Sequence, residues 1–509
     1  MKHWLILIRF DLITQLRERG TWLMLGVVVV MAWFGVWQGS TFTREASVAA
    51  ASALTQADTA RTAAKQYANA FFANPETEEA KAARSFRNVA DIRGYAFREH
   101  IAFAAKPVAA GAALSIGQSD ILPVYVRVRA ESMDSVRFSN EIEHPKRLQV
   151  GRFDLMFVVL YLWPLVLLSL AISVLTNDRE TKRLDLLRLQ GVKTVSVLMA
   201  QLVGRVSAAT AIFIVLVTIP ILTFGVVPRD ASGVGALLQW AGVTVVLSLF
   251  WASVAGLICA VCKTRANAAF ASFGAWVVVA LVLPQLLAAT VAGISPMPSR
   301  EMYLLKMREA VDKTNADRVK LIERFYDQHP EWRPLTTPLD KVAAPIVRLA
   351  RAAALETSIA DADEKFASAR SKQSHLLSSL QWLSPVTVAH SAYAQIAGND
   401  AARHDLFLSE VRQYQLQLRA FFQARLQQAA LAEESNPCKH PSTTCLPGFG
   451  FTDHDEVPRS AIAPALRAAP VIPAALLWLF AWAGLLLLLA NLIVSPRASQ
   501  QSEGQSLPV

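Results

Sequence analysis

The stretch LMFVVLYLWPLVLLSLAISVL, residues 155–175, contains no charged residue and is followed at once by TNDRETKRLDLLR, residues 176–188. A helix needs about 20 apolar residues to cross a bilayer, so the first stretch is long enough to span one. The charge that follows so abruptly indicates that the chain leaves the lipid there. The sequence therefore predicts a membrane-spanning helix that ends in a polar junction.

The composition of the chain is that of a membrane protein with sizeable polar parts. Hydrophobic residues make up 53% of its 509 residues, charged residues make up 18%, and the mean hydropathy is +0.33. These values exclude a typical soluble enzyme. The net charge of +10 would suit a protein that binds nucleic acid, but the basic residues are dispersed and no recognition motif accompanies them. We expect a lipid bilayer as a partner and no nucleic acid.

Apolar stretches of this length recur along the chain, and basic residues cluster at alternate gaps between them. The predicted spans are residues 21–37, 155–175, 206–227, 236–261, 269–291 and 471–494. Lys and Arg precede the first span and lie between the second and third and between the fourth and fifth, whereas the opposite short loop holds only Arg229. The positive-inside rule therefore places both termini in the cytoplasm, including a tail at 495–509.

Two long polar segments, residues 38–154 and 293–470, then fall outside the cytoplasm. We predict a mainly α polytopic protein with six transmembrane helices and two extracytoplasmic domains. The first domain is expected to be mixed α/β, because the alternating stretch Leu122–Arg129 favours a strand beside helices near residues 43–72 and 89–105. The second is expected to be mostly helical, at residues 300–325, 339–380 and 404–434.

Residues 1–20 are predicted to form a cytoplasmic helix lying in the membrane interface. Leu5, Ile8, Leu12 and Leu16 recur at helical spacing, opposite polar residues that include Asp11. A cleaved signal peptide is the alternative, because a charged start followed by an apolar core also fits one.

The four cysteines fall into two pairs with different surroundings. Cys259 and Cys262 lie near the end of the fourth predicted span, where buried small apolar side chains are a simpler interpretation than a redox or metal pair. Cys438 and Cys445 lie in the second outer segment, where an oxidising compartment favours a disulfide. A metal site that adds His440 and His454 is the alternative, although its spacing matches no common zinc pattern.

Signatures of nucleotide binding and of catalysis are missing from the sequence. There is no Gly-x-x-x-x-Gly-Lys-Ser/Thr loop, no His-Glu-x-x-His pair and no Gly-x-Ser-x-Gly elbow. We predict that the chain is not an enzyme and holds no metal or cofactor. If ATP drives it, another chain binds the ATP.

Several short pieces of sequence occur in a particular order around the six predicted spans. They are residues 9–11 with 17–19, 116–123, 151–155 with 162–165, Asp178-Arg179-Glu180, 325–332, and 383–385 with 397–400. In these pieces and their order the chain resembles, over nearly its whole length, an ABC transporter permease of the ABC-2 class. The branch it resembles has large extracytoplasmic insertions after the first and fifth spans.

The resemblance implies a permease subunit of an ATP-driven transporter in a bacterial inner membrane. It would pair with a second permease, identical or not, and with a cytoplasmic ATPase subunit that binds ATP and Mg. The loop 176–205 would couple to that ATPase through Arg179, Glu180, Lys182, Arg183, Leu184, Asp185, Leu187 and Arg188. Related permeases usually have a glycine where this chain has Lys182, so the turn there departs from the family pattern.

Other interpretations of the same sequence remain open. The charged loop is also typical of a solvated positive-inside segment. The whole chain also fits a membrane-anchored scaffold or sensor whose outer domains bind a partner, although four closely spaced middle spans exceed what an anchor needs. The interpretation as an extracytoplasmic metal-dependent enzyme is supported only by the cluster from Cys438 to His454. The scarcity of ionisable residues in the spans disfavours an ion-coupled carrier.

Overall fold

The computed structural model describes residues 2–74, 88–131, 152–334, 337–342, 344–435, 449–460 and 473–494. The protein is mainly helical, and the six helices long and apolar enough to cross a membrane confirm that part of the prediction. We call them the first to sixth spans. In order they are Arg19–Ala73, Leu155–Glu180, Thr194–Thr223, Ala231–Val261, Arg265–Ile294 and Ala474–Val494.

The first and third spans extend beyond the predicted ranges. The first span is a single helix of 55 residues, so the predicted membrane helix and the predicted outer helix that follows it are one continuous element. The third span begins at Thr194, inside the range predicted as a loop, because no proline separates Thr194 from the apolar run. The N-terminal helix, Lys2–Arg17, packs along this extended part of the third span.

Two spans contain a π-helical segment directly before a proline. The second span passes from Leu155–Phe157 through π-helical Val158–Leu162 into Trp163–Ala171. The fifth passes from Arg265–Trp276 through π-helical Val277–Val282 into Leu283–Ile294. Pro164 and Pro284 each lie in the first turn that follows. Because proline lacks an amide N–H, the wider turn before it accommodates the missing hydrogen bond.

The fourth span forms the centre of the bundle. Of its most apolar window 78% is buried, compared with 17% for the fifth and sixth spans. Trp163 of the second span is fully buried beside it, donates its indole N–H to Ser248 Oγ at 2.8 Å, and stacks on Phe213 at 4.3 Å. A satisfied indole fixes how the second, third and fourth spans meet.

The first polar segment contains a two-stranded antiparallel sheet. Strand β1, Ala102–Ala105, pairs with strand β2, Tyr125–Val128, with Ala102 opposite Val128. The β2 strand lies inside the stretch predicted as a strand. The predicted helix at 89–105 is instead a short helix, Ile92–Gly94, a π-helical turn, Tyr95–Glu99, and strand β1. Pairing with β2 overrides the helix propensity of the alanines in β1.

The second polar segment is helical where the structure describes it. Its helices are Arg300–Ala316, Arg318–Gln328, Ala344–Leu380, Pro385–Ala397, Ala401–Ser435 and Phe451–Glu456. The predicted helix 300–325 is divided at Asp317, whose carboxylate accepts the Lys320 amide at 3.1 Å and so starts a new helix.

The two polar segments share one hydrophobic core. Tyr95 and Val126 of the first segment pack in the same cluster as Phe325, Tyr326 and Phe422 of the second. The described parts of both segments therefore form one body, because each contributes an apolar face that the other covers. We call it the insertion body.

Candidate functional site

One end of the span bundle is held together by an ion pair between distant parts of the chain. Both carboxylate oxygens of Asp11, on the N-terminal helix, accept hydrogen bonds of 2.8 Å from the Arg205 guanidinium in the third span. Arg205 also donates to the carbonyl of Leu170 at 3.0 Å and to Ser173 Oγ. A bidentate pair of this kind, nearly buried, fixes the N-terminal helix and the ends of two spans to one another.

The carboxylate of Asp178 is satisfied inside the bundle. Gln201 of the third span donates to Asp178 at 2.8 Å, and the other side of the same amide accepts the backbone N–H of Leu175 at 3.1 Å. Only 2% of the surface of Asp178 is exposed. This residue therefore joins the second span to the third rather than facing a partner protein.

Arg179 caps the end of the fourth span. Its guanidinium donates to the carbonyls of Cys259 at 2.8 Å, Ala260 at 3.2 Å and Cys262 at 2.5 Å. The last carbonyls of a helix have no partner within the helix and carry partial negative charge, so a cation there is favourable. Arg179 thus fixes the position of the fourth span relative to the second.

Glu180 makes the corresponding contact at the start of the fifth span. Its carboxylate accepts the backbone N–H of Arg265 at 2.7 Å and pairs with the Arg265 guanidinium at 3.2 Å. The first amides of a helix lack partners, so a carboxylate stabilises that end. Consecutive residues 178–180 therefore hold the third, fourth and fifth spans to the end of the second.

A short helix, Arg183–Leu189, follows this motif and is partly exposed. Leu184 is 2% exposed and anchors it, while Leu186 is 62% exposed and Leu189 is 86% exposed. Arg188 donates to Thr194 Oγ1 at 3.0 Å, which fixes the far end of the helix to the third span. The result is an apolar, charge-rimmed surface attached to a rigid base.

The helix Thr176–Glu180 is bounded by two residues with left-handed backbone. Leu175 has φ of 55° and Lys182 has φ of 56°. No other non-glycine residue in the described part of the chain has a positive φ. Lys182 occupies the position where the resemblance placed a glycine, and its backbone adopts the conformation that favours glycine. We call the whole assembly, from Asp11 and Arg205 to the helix Arg183–Leu189, the charged junction.

A second junction lies at the other end of the second span. Asp154 caps that end, since its carboxylate accepts the Phe157 amide at 2.8 Å. The other oxygen of Asp154 accepts the amides of Ile116 at 2.9 Å and Gly117 at 3.1 Å. Asn399 donates its side-chain amide to the carbonyls of Ser115 and Ile116. Asp154, residues 115–117 and Asn399 form what we call the domain junction.

The first span comes unusually close to the domain junction. A Cβ atom on Gly39 would lie 2.0 Å from the carbonyl oxygen of Ala113, and one on Gly35 would lie 2.7 Å from the amide nitrogen of Leu155. Neither distance is possible for real atoms. The first span can reach the second span and the insertion body only because both positions are glycine.

The helix Pro385–Ala397 joins the insertion body to the span bundle. Val386, Ala389, Tyr393 and Ile396 are buried in the same cluster as the spans. The hydroxyl of Tyr393 lies 2.8 Å from Thr244 Oγ1 of the fourth span. The Trp382 carbonyl, just before this helix, accepts the indole N–H of Trp478 at 2.5 Å and that of Trp482 at 3.3 Å, both from the sixth span.

The sequence pieces that carry the resemblance meet at these two places. Asp11 and Asp178-Arg179-Glu180 lie in the charged junction, whereas Ile116, Asp154 and Asn399 lie in the domain junction. Of the predicted coupling residues, Arg179, Glu180 and Leu184 contact other spans or are buried. Lys182, Arg183, Asp185 and Arg188 line the exposed side, and Leu187 is partly buried.

The N-terminal helix presents a different face from the predicted one. Asp11 and Gln15 are buried against the third span, whereas Ile6, Phe10, Ile13 and Leu16 are exposed. The expected arrangement put Asp11 on the solvated side. The difference arises because Arg205, inside the third span, needs a buried carboxylate, which outweighs the apolar pattern.

Cys438, Cys445 and His440 lie outside the described residues, so the predicted disulfide and the alternative metal site stay predictions. His454 is fully buried between the rings of Tyr95 and Phe449, at centroid distances of 4.4 and 4.6 Å. Cys259 is buried and donates weakly to the carbonyl of Ala171 at 3.3 Å. Among the described residues, no group of three His, Cys, Asp or Glu side chains could hold a metal ion.

Sequence reasoning missed Arg205 and Gln201 as members of the charged junction. It counted Arg205 only as a positive charge in a cytoplasmic loop. The available signal was an arginine followed directly by an apolar run, because a charge within a membrane helix normally has a buried partner.

Comparison with known proteins gives one match. Residues 300–436 match the family described as a domain of unknown function, DUF3526. The matched range covers the helices from Arg300–Ala316 to Ala401–Ser435, including Asn399 of the domain junction, and it contains none of the spans. No curated protein and no solved structure matches the chain.

Proposed function

We propose that this chain is the membrane-spanning permease subunit of an ATP-driven transporter of the ABC-2 class. It would couple ATP hydrolysis on a separate subunit to the movement of a substrate across the bacterial inner membrane. The observation that most supports this proposal is the charged junction. It presents one short exposed helix while hydrogen bonds tie its base to four spans.

The exposed helix has the features of a docking surface. Leu186 and Leu189 are exposed side by side with Arg183, Asp185 and Arg188. Large apolar side chains rimmed by charge are uncommon on a surface that meets only water, and they are typical of protein interfaces. An ATPase subunit docked here, with its own ATP and Mg, would contact a helix that is directly connected to the span bundle.

The contacts also provide a mechanical route. A displacement of the helix Arg183–Leu189 would act through Lys182 on Asp178, Arg179 and Glu180, and therefore on the ends of the third, fourth and fifth spans together. Interfaces of packed helices change between discrete arrangements rather than deforming continuously. The second span would pass the change from the charged junction to Asp154 and the domain junction.

The proposal includes an orientation. The charged junction and both termini would lie in the cytoplasm, since the basic residues of the short loops gather there. The exposed residues Ile6, Phe10, Ile13 and Leu16 of the N-terminal helix would then face the lipid interface. The insertion body would lie outside. A second permease, identical or different, would complete the pathway beside the lightly buried fifth and sixth spans.

The test is co-purification of the chain with a candidate ATPase encoded beside it, in nanodiscs. We expect Arg183→Glu with Arg188→Glu to abolish co-purification, because the charged rim of the exposed helix would change sign. Arg229→Glu, on an exposed loop at the opposite end of the spans, is the matched control and should leave it unchanged. Retained binding of the double variant, or no binding by the wild type, would refute the proposal.

A further inference from the structure

The insertion body contains a concave pocket whose walls are rich in arginine. Its volume is about 420 Å³, within the usual range for sites that hold small molecules. Two walls come from the β-sheet with its preceding turn, and from the helix Ala344–Leu380. The basic side chains that line it are Arg98, Arg127, Arg129, Arg348 and Arg351, with His100 at the base.

The local structure places these arginines on faces that border the same pocket. Arg127 and Arg129 are two residues apart at the end of β2, so they lie on one face of the strand, opposite the buried Val126 and Val128. Arg348 and Arg351 are three residues apart on a helix and therefore share one face. The strand and the helix turn these faces toward each other across the pocket.

The positive charge is only partly balanced. Glu131 is the one carboxylate among the described residues that line the pocket, and it pairs with Arg348 at 3.6 Å. Arg98 pairs with the neighbouring Glu99 at 3.4 Å. Burial is the main cause that lowers the pKa of Arg127, and the neighbouring Arg129 guanidinium lowers it further. Cations gathered in a partly enclosed cleft repel one another, and a bound anion relieves that repulsion.

His100 is a buried ring in the lining of the pocket. It is 6% exposed, and its Nε2 atom is buried without a hydrogen-bond partner in the structure. Burial and then the charge of Arg61 lower the pKa of His100 to about 3. The ring is therefore uncharged at neutral pH and adds no positive charge to the pocket.

We propose that this pocket binds a soluble small molecule that carries a phosphate group. Guanidinium groups match phosphate oxygens in pairs, and several converging arginines suit a group with more than one negative charge. A peptide carboxylate would engage only one or two of them. This site is separate from the charged junction, and the inference does not depend on the proposed transport function.

The position of the pocket favours a soluble ligand over a membrane lipid. Ile101 directly follows His100 of the pocket and therefore marks the height of the pocket along the first span. It lies against that span between Val48 and Ala63. At about 1.5 Å per residue, these positions are about 16 and 39 Å along the helix from Trp37, the last residue of the predicted membrane segment. A phospholipid headgroup at the bilayer surface would not reach so far.

The experiment is calorimetric titration of the full chain in nanodiscs with glycerol 3-phosphate, with inorganic phosphate, and with glycerol as the uncharged comparison. We expect the two phosphates to bind and glycerol not to bind. Arg351→Ala and Arg129→Ala should each weaken binding about tenfold or more, because each removes a charge-assisted contact. Arg412→Ala, an exposed arginine elsewhere on the insertion body, should leave the affinity unchanged.

Nanodiscs of neutral lipid and of phosphatidylglycerol distinguish the two sources of phosphate. Equal binding in both supports the soluble ligand. Binding that phosphatidylglycerol suppresses would show that a lipid phosphate fills the site, and would overturn the assignment to a soluble molecule. Absence of phosphate binding, or equal weakening by Arg412→Ala, would refute the pocket itself.

Discussion

At the scale of single residues, Lys182 is the most informative position in the charged junction. Its φ of 56° places a side chain in a conformation that costs about 1–2 kcal/mol for a residue other than glycine. Strain of this kind persists where the surroundings enforce it, and it is common at switch regions. Here the hydrogen bonds of residues 178–180 on one side and buried Leu184 on the other enforce it.

Replacing Lys182 with glycine should relieve that strain. We expect Lys182→Gly to slow amide hydrogen exchange across residues 183–189, by an amount equivalent to roughly 0.5–1 kcal/mol. Lys193→Gly is the matched control, since Lys193 is also exposed and also precedes a helix, but has φ of −69°. Equal slowing in both variants would show that helix capping, not backbone strain, is responsible.

At the scale of elements, the first span packs so closely against the chain next to the domain junction that one backbone meets the other. Gly39 touches backbone atoms of Ala113, which cannot rotate away as a side chain could. The same helix contains Gly26, around which a Cβ atom would meet nothing within 4 Å. Within this one helix, Gly39 is therefore required for close packing, whereas Gly26 is not.

Substituting alanine at these two glycines should give opposite results. We expect Gly39→Ala to destabilise the protein by about 1–3 kcal/mol, because the new methyl group must push the two backbones apart. Gly26→Ala should stabilise it by about 0.5–1 kcal/mol, because alanine is the better helix former. Thermal unfolding in detergent measures both changes, and a loss of stability in Gly26→Ala equal to that in Gly39→Ala would contradict the packing.

The elements also show how far the sequence could predict the structure. Apolar runs predicted the six spans because membrane helices follow directly from length and hydropathy. Strand β1 was missed because its alanines have no strand preference until β2 pairs with them. The buried Asp11 was missed because its partner, Arg205, is distant in sequence, and periodicity reports only which side chains share a face. For the same reason, motifs such as Asp178-Arg179-Glu180 could be found but their contacts could not.

At the scale of the whole molecule, the insertion body has a buried aromatic centre that includes two histidines. Burial is the main cause that lowers the pKa of His100 to about 3 and that of His454 to about 4. In an unfolded chain the pKa of histidine is about 6.5. The folded state therefore binds fewer protons than the unfolded state below that pH. Its stability is fully present above about pH 6.5 and falls as the pH decreases toward 4.

Thermal unfolding at decreasing pH measures this dependence of stability on pH. We expect the unfolding temperature of the insertion body to fall steadily from pH 7 to pH 5. In His454→Phe, which keeps an aromatic ring beside Tyr95 and Phe449, the unfolding temperature should fall less steeply over the same range. His375→Phe replaces an exposed histidine and should keep the wild-type slope. A slope that His454→Phe leaves unchanged would show that other groups cause the pH dependence.

The whole molecule has two junctions joined by the second span, and the central claim is that the charged junction receives an ATPase. Photo-crosslinking tests this most directly, with benzoylphenylalanine placed at position 189 and, for comparison, at position 234. Leu189 is 86% exposed on the charged junction, whereas Val234 is 47% exposed at the opposite end of the fourth span. With the ATPase present in nanodiscs, we predict a crosslink to it from position 189 and none from position 234. No crosslink from position 189, in a preparation where the ATPase hydrolyses ATP, would contradict the account.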